Sequence, residues 1–419
     1  MPSKPPPSRS TGPAKALRQL RPSDVRGVAR LATQATASIS RVAEGVHQSV
    51  LGTMGLPGGP TPGRTRGLTG MVYGGVRGIT RLVDAGLQAA LLRLEPFMGV
   101  PEEAQDVPRE RQAVLAALNG VMGDRLAEDG NPLATAMGFY QQGRPLNPAA
   151  LGAAGTASGH LLVLVHGLCM NDLQWQHEGH DHGAHLAQAL GCTPVYLRYN
   201  TGLHTSTNGG ELARQLQALV AAWPVPVTRL GIVGHSMGGL VARSACWQAE
   251  QSGLPWRALL RHLVCLGTPH HGAPLERAGH WVDVLLGSTP YSRPFARLAQ
   301  LRSAGITDLR HGHVLDADWQ GRDRFRKSPD LRTPVPLPAG VLCCTVGATL
   351  AAQRSPVAER LVGDGLVPLH SALGWHDDAA RRLEFARAQQ CVVHRAGHLQ
   401  MLGDARVARQ LVRWLAPAG

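Results

Sequence analysis

Apolar positions recur along this chain in two rhythms. Near the N-terminus, Val25, Val28, Leu31, Ala35, Ile39, Val42, Val46 and Val50 follow helical spacing behind a capping Ser23 or Asp24. The Gly- and Pro-rich run from Gly52 to Gly67 ends that helix. A second helical run extends from Leu68 to Leu94. It carries Gly70, Gly74 and Gly78 at four-residue spacing, a small-residue stripe that permits close helix approach, and Arg77 and Arg81 interrupt it. A third helix is expected over about 109–127, where Val114, Leu115, Leu118, Val121, Met122 and Leu126 repeat with helical period. Gly143 to Gly159, rich in Pro, Gly and Ala, reads as a linker or loop.

Beyond the linker the rhythm shortens. Apolar or β-branched runs appear at His160–Val165, Pro194–Tyr199, Arg229–Val233, His262–Leu266, Val341–Val346 and Cys391–Val393. Most are separated by helical patterns such as Gly210–Ala222, Met237–Gln251 and Asp404–Leu415. Strands alternating with helices predict an α/β fold with a mainly parallel, doubly wound sheet. Between the fourth and fifth strands the gap is much longer. Residues 275–338 hold Trp281, Tyr291, Phe295, Trp319 and Phe325, which suggests an inserted lid. The expected organisation is a disordered basic, Pro-rich tail over 1–22, a helical extension over 23–150, and an α/β body over 158–419.

Charge divides at a similar place. The 419 residues carry a net charge of +13, yet residues 1–93 hold thirteen Lys/Arg against Asp24, Glu44 and Asp84, so the body is close to neutral. Eighteen of the nineteen histidines and all eight tryptophans follow residue 150. At 43% hydrophobic and 17% charged, the chain can fill a core, which argues against wholesale disorder. No stretch reaches the roughly 18 uninterrupted apolar residues of a membrane-spanning helix, and Met1 to Ser10 lacks the apolar segment of a secretory signal. Seven cysteines without a CxxC pair read as reduced, mostly core thiols of a cytoplasmic protein, with no structural zinc site. Cys343 and Cys344 are expected to face opposite sides of one strand.

The basic N-terminal helices have two readings. One is peripheral contact with an anionic membrane or lipid surface, where each Lys/Arg contributes about 1 kcal/mol. The other, favoured by the glycine-rich interiors, is a helical hairpin packed on the body. Nucleic acid is not expected as a partner, because the arm has almost no aromatic residues for base stacking.

The chemistry lies in the body. Gly234-His235-Ser236-Met237-Gly238 fits G-x-S-x-G between a strand and a helix, a tight turn that lifts the Ser236 hydroxyl above the sheet edge. His166-Gly167 ends the first strand of the body, so the N–H groups of Leu168 and Met237 can form an oxyanion hole. Asp364 stands in a Gly-flanked loop after the fifth strand and His398 in the loop after the sixth. The order Ser, Asp, His is that of α/β hydrolases. Asp377 and Asp378 compete with Asp364, and His394 and His370 with His398, but none has the same loop setting.

Together these motifs resemble α/β-hydrolase-fold lipases and esterases of the bacterial triacylglycerol-lipase and GPI inositol-deacylase-like group. The resemblance rests on His166-Gly167, the turn around Ser236, Leu266-Gly267-Thr268-Pro269-His270-His271-Gly272, Gly363 to Pro368, and Gly397-His398-Leu399. It spans about 158–410, is specific for the fold and much less so for the substrate, and does not extend to the first 150 residues. It implies Ser236 as nucleophile, His398 as general base and then acid, Asp364 as the residue orienting the imidazole, and Leu168 and Met237 as oxyanion donors. Some secreted members of the lipase group hold calcium near the catalytic histidine; only the isolated Asp404 stands in that region, so calcium is not expected.

Candidate substrate contacts are His166, Asn200, His204, His270 and His271, set against plainer roles in turns and pocket walls. His177, Glu178, His180, Asp181, His182 and His185 form a tempting metal cluster. The alternative is a polar loop entering a helix capped by Asp181; without an HExxH pattern or a cysteine partner, no metal and no cofactor are expected. The reading is a serine ester hydrolase for a lipidic or medium-chain ester. Alternatives are an acyltransferase with the same three residues, or a catalytically idle lipid-surface or scaffold protein.

Overall fold

The computed structural model describes residues 26–31, 109–273, 303–323, 330–352 and 363–417. The tail at 1–22, the second expected helix, most of the first, and Trp281, Tyr291, Phe295 and Phe325 of the expected lid lie outside the described residues. Among the described residues no helix is long and apolar enough to cross a membrane.

Two compact units divide the chain. Of the smaller, residues 26–31 are helical, and Asn131 ties them to the segment 130–133 by donating to the Gly27 carbonyl at 3.1 Å. The larger unit begins at Arg109. It contains α1 (Arg109–Glu128), β1 (Gly138–Gln141), β2 (Arg144–Pro145), α2 (Pro148–Ala153) and β3 (His160–Val165). A short hairpin, β4 (Gln176–His177) and β5 (His180–Asp181), leads into α3 (His182–Leu190). Then follow β6 (Thr193–Arg198), α4 (Thr205–Ala221), β7 (Arg229–His235), α5 (Met237–Gln251), β8 (Leu260–Leu266) and α6 (Ala304–His311). The unit closes with β9 (Leu342–Thr349), α7 (Leu369–Ala372), β10 (Gln390–His394) and α8 (Ala405–Leu415).

The six strands expected from the sequence form one parallel array in the order β10-β9-β8-β7-β3-β6. The residues of β3, β7, β8 and β9 are almost wholly buried, as strands covered on both faces require. The alternation of strand side chains feeds two cores. Leu161, Val163 and Val165 join α4 and α5 on one face, while Leu162 and Leu164 join α3 and α8 on the other. Cys343 and Cys344 divide in the same way. All seven cysteines are free, and burial pushes the Cys169 thiol up to about 12.

One part of the sheet differs from the sequence expectation. Residues 138–145 pair antiparallel to each other and to β6, adding a hairpin at the sheet edge, so the sheet starts before the boundary expected near residue 158. The reason lies in the partner strand. The β6 edge offers a free row of backbone groups, and Phe139 and Tyr140 pair with Leu197 and Tyr196. The stretch 143–159, expected to be a linker or loop, supplies β2 and also α2, which starts at Pro148 behind the capping Asn147.

Strand order reverses at β3, which lies between β6 and β7. Ligand crevices in open α/β sheets form at such a reversal, beyond the carboxyl ends of the strands. Val165 pairs with Gly234 there, which puts the His166-Gly167 turn beside the turn at Ser236.

Candidate active site

Ser236 occupies the step between β7 and α5 with φ 54° and ψ −122°, a conformation that L-residues rarely adopt and that costs about 1–3 kcal/mol. Its N–H donates to the Leu266 carbonyl at 2.8 Å, holding the turn against the neighbouring strand. The helix starts so abruptly that a Cβ on Gly238 would collide with the Val165 carbonyl oxygen. The Ser236 hydroxyl is buried and has no hydrogen-bond partner among the described residues.

Met237 is the first residue of α5, so its N–H precedes the first intrahelical bond. Leu168 is the second residue of a turn closed by the Met170 N–H on the Gly167 carbonyl, at 3.3 Å. Cys169, the third, has φ 58° and donates its N–H to Thr201 Oγ1 at 3.1 Å. These bonds leave the Leu168 amide outside the turn's own hydrogen bond.

Asp364 and His398 come together although 34 residues separate them. His398 Nδ1–H donates to Asp364 Oδ2 at 2.7 Å, with both side chains buried. Asp364 Oδ1 accepts the Leu366 and Val367 N–H groups at 2.9 and 2.7 Å. His398 is tied to the turn at Ser236 through His235, whose ring lies 4.8 Å from the His398 ring between centroids. A carbonyl can only accept, so His235 Nε2–H donates to the His398 carbonyl, at 3.2 Å. Burial, then the neighbouring His398, hold His235 well below the usual imidazole range. Gly267, at φ 57°, lets the ring sit close, since a Cβ there would lie 3.2 Å from His398 Cε1 and would collide with Met401 Cε.

With these strands and turns the body is an α/β-hydrolase fold, and residues 156–333 match the family model described as "PGAP1-like alpha/beta domain". The match takes in Ser236, Leu168 and Met237 and ends before Asp364 and His398. Among solved structures, the chain is similar to mature Bacillus licheniformis lipase BlEst2, at 17% identity, 61% of this chain, 92% of that chain and a TM-score of 0.41. It is similar to the Pyrococcus furiosus esterase Pf2001 at 14% identity, 62% and 85% coverage and a TM-score of 0.35. Similarity to Aspergillus fumigatus lipase B stands at 13% identity, 61% and 54% coverage and a TM-score of 0.34. No curated protein matches the sequence.

Within and beside the matched segment, the candidate substrate contacts occupy different settings. His166 is buried at the turn that Gly167 and Met170 close. Its Nδ1–H donates to the Gly167 carbonyl at 2.9 Å, its ring stacks on Tyr199, and the Tyr199 hydroxyl donates to the His166 carbonyl at 2.7 Å. Burial pushes His166 down to about 3. Asn200 uses its side chain on backbone: Nδ2 donates to the Gly123 carbonyl at 2.9 Å and Oδ1 accepts the Gly202 N–H at 3.0 Å. That insertion coincides with a break in α1, where Met122 leaves helical geometry. His204 lies flat against Trp319, with centroids 3.6 Å apart, and donates from Nδ1 to Asp308 at 3.1 Å.

Asp308 is a residue that the sequence did not single out. It is fully buried and also accepts from His313 at 3.1 Å and from the Thr205 N–H at 2.7 Å. Burial alone would raise its carboxyl, but the hydrogen bonds from His204 and His313 outweigh it and hold the group below the usual range. Its partner His204 is 104 residues away, and no local pattern marks such a pair. His270 Nδ1 accepts from the buried Arg243 at 3.3 Å, and its ring lies beside Phe385. His271 donates its N–H to Ser371 Oγ at 3.1 Å and its ring meets His376. These two histidines brace the loop after β8 against α5 and α7.

The 177–185 cluster spreads over the β4–β5 hairpin and the first turns of α3. Asp181 caps α3 through the Ala184 N–H at 3.0 Å and accepts the Tyr196 hydroxyl at 2.7 Å. Among the described residues no group of three or more His, Cys, Asp or Glu is arranged to hold a metal ion.

Proposed function

We propose that this chain is a serine carboxylic-ester hydrolase that acts on a lipidic or medium-chain ester through an acyl-enzyme. One observation carries the reading. A buried serine hydroxyl stands on a strained strand-to-helix turn, and the residue before it, His235, bonds the carbonyl of a histidine whose Nδ1 is locked by a buried carboxylate.

The chemistry follows from those positions. Ser236 Oγ attacks the ester carbonyl as His398 Nε2 takes its proton, and the oxyanion that forms is met by the Leu168 and Met237 N–H groups. Each such donor is worth about 2.7–4 kcal/mol in the transition state. The C–O bond to the alcohol then breaks, and His398 returns the proton to the leaving alcohol. Water, deprotonated by His398, attacks the acyl-serine and releases the acid. The Asp364 bond on Nδ1 leaves the lone pair on Nε2, where it can take the Ser236 proton, and stabilises the imidazolium.

An apolar substrate is supported by Leu350. Its side chain is 53% exposed and approaches the loops that carry Asp364 and His398, at 3.8 Å from where a Cβ on Gly397 would stand. The test is fluorophosphonate labelling of wild type beside Ser236→Ala, then a p-nitrophenyl ester chain-length series. Labelling lost in the variant, with an optimum above short esters, is the expected result. A folded wild type that does not label, with detergent present, would sink the enzyme reading, and a short-ester optimum would sink the lipidic one.

A further inference from the structure

The backbone that carries His398 is held at every turn. The Ala396 N–H bonds the Thr349 carbonyl at 3.1 Å, the Gly397 N–H bonds Gln400 Oε1 at 2.7 Å, and the His398 N–H bonds the Asp364 carbonyl at 3.1 Å. Two carbonyls of this segment are then gripped by imidazoles from distant elements. His235 takes the His398 carbonyl, and His182, 219 residues away in sequence from its partner, takes the Met401 carbonyl at 2.9 Å.

We propose that His182 is a positioning residue for His398, acting through the Met401 carbonyl; this role rests on the hydrolase reading above. His182 is the first residue of α3 and is fully buried. A carbonyl oxygen only accepts, so His182 Nε2 carries the proton and its Nδ1 is a lone pair. That lone pair, 2.9 Å from His180 Nε2, accepts the His180 N–H. One terminal acceptor thus fixes the tautomer of His182 and the orientation of both rings. Burial holds His182 down at about 4, so the ring stays neutral near pH 7.

The path from Met401 to His398 is short. Met401 is wholly buried in the short helix Gln400–Leu402, and its Cε fills the space beside Gly267, against which the His398 ring also packs. On the other side, a Cβ at Gly403 would lie 3.2 Å from the His177 carbonyl, so the β4–β5 hairpin backs the same segment. A loosened Met401 carbonyl lets this segment move, and with it the ring that must reach Ser236. Misplacement of a catalytic group by about 1 Å costs up to about a hundredfold in rate.

The experiment compares wild type, His182→Phe and His182→Gln, each folded by circular dichroism and normalised by fluorophosphonate titration of active sites. His182→Phe keeps the ring's bulk and removes the donor, and is expected to lower kcat about tenfold or more with KM little changed. His182→Gln restores an N–H and is expected to recover most of that loss. A folded His182→Phe with wild-type kcat would overturn the proposal, as would a folded His182→Gln as slow as the Phe variant. Should His182→Phe fail to fold, His180→Ala replaces it. Loss of the N–H that holds the far side of the His182 ring is then expected to slow turnover a few-fold at unchanged Tm, and no slowing would overturn the role. An unlabelled wild type removes the hydrolase reading and this role with it, whereas a labelled wild type with an indifferent His182 removes this role alone.

Discussion

Asp364 holds His398 twice, through its carboxylate on the ring Nδ1–H at 2.7 Å and through its backbone carbonyl on the His398 N–H at 3.1 Å. Ring and backbone are therefore referenced to one residue. In Asp364→Asn the backbone bond survives, and the amide oxygen keeps the Leu366 and Val367 N–H groups that now bond Oδ1. The amide NH2 is left facing His398 Nδ1, which forces the opposite tautomer and places a proton on Nε2. The expected result is a folded protein with kcat lowered about 10⁴-fold. Ester turnover measured beside thermal unfolding checks it, and a loss below tenfold would contradict this role for Asp364.

Strain at Ser236 makes a stability prediction of opposite sign to the activity one. Glycine adopts positive φ without steric cost, so Ser236→Gly releases about 1–3 kcal/mol of strain and gives back about 0.4–1 kcal/mol through the freer unfolded chain. Activity should vanish while Tm rises by about 2–4 °C. A scan showing a lower Tm would mean that the turn is not strained in solution.

Gly267 supplies a third test. Its backbone is left-handed, and a methyl group there would press on both His398 and Met401. In Gly267→Ala, Tm should fall and kcat per folded molecule should drop at least about tenfold, because the ring is pushed from its place. Equal turnover per titrated active site would show that the ring tolerates the shift.

Buried histidines set the acid limb of stability. His166 and His182 are held at about 3 and about 4 by burial, and His235 is also pushed well down. In the unfolded chain each takes up a proton near its ordinary value of about 6.5, while the native rings stay neutral. Protons are bound preferentially by the unfolded state in that interval, so stability is full above about pH 6.5 and falls as pH drops towards 4. Each fully buried ring contributes a slope of about 1.4 kcal/mol per pH unit there. Urea midpoints between pH 7.5 and 4.5 measure it, and a flat profile from 7 to 5 would refute the buried neutral state.

The sequence carried the parallel sheet in its own pattern, because strands covered on both faces must be continuous apolar runs. Ser236 was legible too, since the strand-to-helix turn demands glycines at fixed offsets on either side of it. Residues 138–145 were not. A hairpin at a sheet edge takes its hydrogen bonds from β6, and its few residues carry no alternation of their own. The same holds for His182, which the sequence offered only as part of a polar loop or a less favoured metal cluster, and whose partner is a carbonyl 219 residues away.

What the sequence determined by itself was local: which segments are strands or helices, where the chain must turn sharply, and which residue types stand at those turns. What only the tertiary structure decided was which histidine meets which acceptor. A chain with nineteen histidines offers many candidates of equal chemistry. A histidine's part is fixed by burial and by the one atom that each ring nitrogen faces, and both are set by packing between segments far apart in sequence. Asp308 on His204 and Met401 on His182 are decided at that level.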